Sequence, residues 1–229
     1  MYILRSKVQA ADVSEAFALM GMLGAGAEAA LAAAGLAATS TPMTMAETGG
    51  ALTLRLDANR FEVIAPAEQA APLELLLKKE ATMADTAAWD LATIHAGVPV
   101  ITPATQEEFV PQMANLDRIG GVSFTKGCYP GQEIVARMHY LGKLKQRMVL
   151  AHVDLVDLAD LPVAGGKLYS AELAEQAAGT VVNAAPAPGG GFDLLAVVQT
   201  STLSTSGLHL GSLTGPALKL LPLPYPLEA

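Results

Sequence analysis

The sequence predicts a mixed α/β or α+β domain followed by a small β-barrel or sandwich, and three observations carry that reading. Strand-like and helix-like segments interleave up to about Tyr140. From Lys145 onward the segments are short, strand-like and parted by Pro/Gly-rich turns such as PAPGGG. With 52% hydrophobic and 16% charged residues, the 229-residue chain has material for one large or two modest cores. The change of pattern places a domain boundary near Gly142, giving residues 1–142 and 143–229.

Taken in order, YILRSKV alternates like a strand and FALMGML reads as a buried strand leading into a short Ala-rich helix. The stretch from Phe17 to Ala38 carries only Glu28 as a charge, but Gly21, Gly24, Gly26 and Gly35 interrupt it, which argues against a membrane span. Asp12 and Glu15 likewise break the apolar run a signal peptide needs. ALTLRLD and RFEVIAP form a strand pair around the turn residues Asp57, Ala58 and Asn59. Ala67 to Lys79 is a helix entered through Pro66 despite Pro72; Thr86 to Ala96 is another, stopped by Gly97 and Pro99. QRMVLAHVDL, GKLYS, GTVVNAA, FDLLAVVQT and GLHLGSL follow as strands. LPLPYPLEA reads as an extended cap over them.

A net charge of -8 argues against general nucleic-acid affinity, which rests on neutralising phosphates with Lys and Arg. A single cysteine forms no internal disulfide, and His95, His139, His152 and His209 lack metal-ligand spacing. Cysteine poverty fits a reducing, cytoplasmic setting.

That one thiol stands in KGCYPGQE, Lys126 through Glu133. A lone cysteine packs as a small hydrophobe or reacts. From Pro130 the chain reads PGQEIVARMHYLGK, with Ile134, Met138 and Leu141 at i, i+4 and i+7, an amphipathic helix with proline at its first position. Cys128 then sits just ahead of a helix N-terminus with Lys126 two residues away, and both favour the thiolate. The functional thiol is preferred. A cysteine-hydrolase arrangement would need a histidine base, and His139 lies at the far end of that helix. The run Arg137, Lys143, Lys145, Arg147 forms either a positive patch suited to a short anionic tail or a solvated turn. Trp89, the only tryptophan, is either core or a ring-stacking platform.

KGCYPGQE, with PQMANLDRIGGVSFT before it, IVAR after it and AWDLATIHAGVPVI upstream, resembles the signature of the YgfZ family of folate-binding proteins, relatives of the glycine-cleavage aminomethyltransferase T-protein. The resemblance implies an α+β fold: a partial folate-binding domain over residues 1–142 with a ferredoxin-like element, then a C-terminal β-barrel over 143–229. It also implies a central tetrahydrofolate cavity and an N-terminal family segment that this chain lacks. The implied role is folate-dependent upkeep of iron-sulfur enzymes, including those that thiolate tRNA, without direct nucleic-acid or membrane binding. Lys126 and Cys128 carry over as the functional pair, and Trp89, Tyr129, Gln132 and Glu133 as folate-binding positions. Glu133 also has the simpler role of complementing the helix dipole. The alternative implied activity is aminomethyltransferase-like one-carbon transfer.

Overall fold

The computed structural model describes residues 7–142, 144–154, 161–174, 176–203 and 207–227, and its chain packs as two units that divide between Ala84 and Asp85. Packing therefore groups residues 85–142 with the C-terminal strands, whereas the change of sequence pattern falls near Gly142. No helix among the described residues is long and apolar enough to cross a membrane.

In the first unit, strands β1 (Phe17–Leu23), β2 (Thr44–Thr48), β3 (Ala51–Arg55) and β4 (Arg60–Pro66) form an antiparallel sheet in the order β1-β4-β3-β2. Helices α1 (Ala27–Ala33) and α2 (Ala67–Leu77) complete it. The period of two along β3 and β4 buries Ala51, Thr53 and Arg55 beside Phe61, Val63 and Ala65. Leu31 of α1 and Leu73 and Leu77 of α2 pack on that face. The turn between β3 and β4 forms where the sequence places it, because the Asp57 carboxylate accepts from the N–H groups of Asn59 and Arg60. Arg55 fits the core by lying over the Phe61 ring, 4.4 Å from its centroid, while its guanidinium pairs with Glu28.

The expectation of a buried FALMGML is corrected. β1 is an edge strand with only one covered face, so Met22 is buried while Leu19 on the other face is 64% exposed. Most of YILRSKV lies outside the described residues, and its last two, Lys7 and Val8, are not in a strand.

In the second unit, α3 (Thr86–His95) is capped by the Asp85 side chain, which accepts from the Ala88 N–H. It ends at Gly97, whose φ of 65° allows Gly97 N–H to reach Ile94 O and Val98 N–H to reach Thr93 O. Helix α4 (Gln132–Tyr140) precedes six strands: β5 (Gln146–Val153), β6 (Lys167–Tyr169), β7 (Ala177–Pro186), β8 (Phe192–Gln199), β9 (His209–Leu210) and β10 (Leu218–Leu221). They form an antiparallel sheet in the order β10-β5-β8-β7-β6-β9, curled into a half-barrel, with an isolated bridge between His209 of β9 and Ala217 just ahead of β10.

The central strands are buried on both faces, which explains their near-continuous apolar sequences. Val149, Ala151, Leu194 and Ala196 point to one core. Met148, Leu150, Leu195 and Val197 point to the other, which Ile94 of α3 helps to cover. β10 has no counterpart among the strands read from the sequence. The tail beyond it lies against this second core through Leu223, and the Tyr225 hydroxyl donates to Gly97 O at 2.6 Å. Burial raises the Tyr225 phenol above its ordinary range, with Asn115 and Arg147 opposing and Asp117 adding to it, so it stays a donor. A Cβ at Gly97 would stand 2.6 Å from the Tyr225 ring, on a backbone that already needs positive φ. Gly97→Ala is expected to cost about 2 kcal/mol or more, read as a lower urea midpoint with unchanged slope.

Candidate functional site

The turn before α4 is organised by short-range bonds. Ser123 Oγ accepts from the Lys126 N–H at 3.2 Å, and the Tyr129 N–H donates to Gln132 Oε1 at 3.2 Å while Gln132 N–H returns to Tyr129 O. Gly131 makes the last step into the helix at φ 83°, a conformation that suits glycine. Lys126, itself exposed, places its ammonium 4.7 Å from the Tyr129 ring centroid in a cation–π contact. Cys128 is exposed. Glu133, also exposed, stands in the first turn of α4, where a carboxylate complements the dipole.

Two expectations about this helix change. It begins at Gln132 rather than Pro130, so Cys128 lies ahead of the first turn, to which the dipole's influence is largely confined. The stripe of Ile134, Met138 and Leu141 is not its packing face: Val135 is buried, while Ile134 is 63% and Leu141 84% exposed. Gln112 decides this by donating from Nε2 to Val135 O at 2.6 Å, which fixes which side of α4 meets the unit. At the far end, His139 stacks on Phe124 with centroids 3.8 Å apart, so the ring packs rather than bonding to Cys128.

Beneath the turn, the PQMANLD segment is tied to β5 by a polar cluster. Arg147 bonds Asp117 through two nitrogens, at 2.8 and 3.2 Å, and donates to Gln112 O at 2.7 Å. Asn115, fully buried at φ 58°, donates to Met148 O at 2.9 Å. Arg147 is thereby removed from the positive patch expected along Arg137–Arg147. Lys143 lies outside the described residues, and Arg137 and Lys145 are exposed. Charge spacing carries no signal for a pair thirty residues apart. Another association of the same kind joins His95 and His152 at Asp193.

Trp89 is half-buried on α3, and no hydrogen bond or ring contact among the described residues joins it to the Cys128 turn. Tyr129 and Gln132 are also half-buried, so ring and amide are partly open to a ligand. An apolar pocket in this unit is lined by Val149, Leu150, Leu203, Leu221, Leu223 and Tyr225 among others, and neither α3 nor the KGCYPGQE turn contributes to it. The Gln112 Oε1 atom is buried without a hydrogen-bond partner among the described residues.

No protein-family model matches the chain. It is 34% identical over 230 residues to the tRNA-modifying protein YgfZ of Yersinia pseudotuberculosis, covering 99% of this chain and 68% of that one. It is 33% identical over 211 residues to the protein of the same name from Sodalis glossinidius, covering 90% of this chain and 63% of that one. Among solved structures, the glycine cleavage system aminomethyltransferase T from Bartonella henselae matches with a TM-score of 0.61 at 20% identity, over 91% of this chain and 59% of its own. The chain thus spans about two thirds of the length of these curated relatives.

Proposed function

The chain belongs to the family of the tRNA-modifying protein YgfZ, and from that membership we propose that it is a folate-dependent accessory factor for iron-sulfur enzymes, including those that modify tRNA, with Cys128 as its reacting group. The observation that carries this reading is the exposure of Cys128 on a turn that also holds Lys126. A thiol kept for packing would be buried. An exposed sulfur is open to attack a client or to bond it transiently. A cytoplasmic setting follows from that role, since a free thiol persists in a reducing compartment.

The residues present suit tetrahydrofolate. Trp89, half-buried, offers an indole face to a planar ring. Gln132 spends its oxygen on the Tyr129 N–H, which leaves its amide nitrogen to donate. Tyr129 adds a second ring and Glu133 a carboxylate. When bound, tetrahydrofolate would supply one-carbon carrier chemistry at its N5 and N10 nitrogens. The chain's own part is to hold the ring system and to present the Cys128 sulfur to a client.

The test is a tetrahydrofolate titration by equilibrium dialysis. Saturable binding is expected, with affinity about fivefold weaker in Trp89→Ala, the loss of one stacked aromatic at about 1 kcal/mol. Absence of binding would sink the folate reading, and unchanged affinity in the variant would return Trp89 to a packing role. The fold shared with an aminomethyltransferase supports a second reading, one-carbon transfer from a lipoyl-bound aminomethyl group. That reaction has no use for a thiol, so turnover that survives loss of Cys128 would favour it.

A further inference from the structure

We infer that His95 and His152, which clasp the buried carboxylate of Asp193 from two different elements, form a proton-operated fastening of α3 to the half-barrel. Strand register brings the group together: Lys219 of β10 lies opposite His152 of β5, which lies opposite Asp193 of β8. His152 Nδ1 is 2.7 Å from Asp193 Oδ1, and His95 Nε2, from the last turn of α3, is 2.6 Å from Asp193 Oδ2. His152 Nε2 is 3.1 Å from Asp154 Oδ1, and Lys219 Nζ donates to Asp154 Oδ2 at 2.6 Å. These are the titratable groups that meet there from α3, β5 and the residue after it, β8 and β10. β7, also packed alongside, has no titratable residue.

Both ring nitrogens of His152 face carboxylate oxygens. A neutral imidazole has one N–H, so one of those contacts would set lone pair against lone pair, whereas the imidazolium donates to both. The bond to Asp193 accordingly raises His152 above the ordinary histidine range, with burial opposing and Asp154 adding to it.

Asp193 is only 6% exposed, so its charge depends on these donors rather than on water. A histidine whose folded-state pKa is raised contributes stability that is complete below its unfolded value and is lost as pH rises through the folded one. Once His152 is neutral, the carboxylate regains hydration by opening toward solvent. The open side is that of His95, whose side chain is 48% exposed against 20% for His152. Opening there displaces His95 and frees the C-terminal turn of α3. For the ligand, on the reading proposed above, the consequence is a Trp89 platform held more loosely at high pH.

The fastening is read on the whole chain without ligand, so its outcome is independent of folate binding. Amide exchange of α3, normalised to intrinsic rates, is followed from about pH 6 to about pH 9 alongside the NMR titration of the His152 ring. Protection of the last turn of α3 should fall several-fold in step with that titration. In His152→Gln, which hydrogen-bonds without taking a charge, it should stay level. Asp154→Asn, a change at an exposed side chain, should move the fall to lower pH because one carboxylate supporting the imidazolium is gone. Constant protection in the unaltered chain, an equal fall in His152→Gln, or no displacement in Asp154→Asn would each overturn the inference.

Discussion

Replacing Asp117 with alanine is expected to lower the unfolding free energy of the second unit by about 3–5 kcal/mol, the cost of leaving a largely buried arginine without its carboxylate. The Arg147 and Asp117 side chains are 12% and 11% exposed, too little for water to take over the lost interaction. The two-pronged geometry matches guanidinium to carboxylate, and the same arginine holds Gln112 O. Removing Asp117 therefore loosens the PQMANLD segment, and through Gln112 the seat of α4. Asp117→Asn keeps the shape and one acceptor and should cost less. Urea unfolding followed by Trp89 fluorescence reports on this unit alone, since the only tryptophan lies within it. An alanine variant as stable as the parent would mean that the segment is anchored by other contacts.

Local chemistry made much of this unit readable in advance. Gly97 and Pro99 mark the end of α3 because a left-handed C-terminal residue acts over a few residues, whereas the Asp85 cap at its start emerges only from the structure. The continuous apolar runs of β5 and β8 were equally plain, although the sequence does not say that both their faces are covered. Short or polar elements escaped: β2, TMAET, is an edge strand, and β10, LKLL, is hidden ahead of prolines. For α4, spacing pointed to Ile134, Met138 and Leu141. A distant Gln112 chose Val135 instead, and periodicity carries no information about such a partner. Of the site, the Cys128 turn was legible because its lysine, glycines and helix start are contiguous. The clasp on Asp193 was not, since His95 lies 98 residues from that carboxylate and only strand register and helix docking join them.

Cys128→Ala is expected to abolish accessory activity while leaving the unfolding midpoint in place. The side chain is exposed, so its loss creates no cavity, and substitutions of this kind change stability by less than about 0.5 kcal/mol. The turn keeps its form without the sulfur, because the bonds that shape it run through Ser123, Tyr129 and Gln132. Lys126→Ala should retain part of the activity: the thiol remains, but the ammonium that sits over the Tyr129 ring is gone. Cells lacking this protein and supplied with each variant give the measurement, as the level of thiolated tRNA against that restored by the parent. Alkylation of the folded chain supplies the independent check, since an exposed thiol should label without denaturant. Full restoration by Cys128→Ala would remove sulfur chemistry from the proposed role and leave the folate site to stand alone. Labelling only after unfolding would instead return Cys128 to the packing role that a lone cysteine usually has.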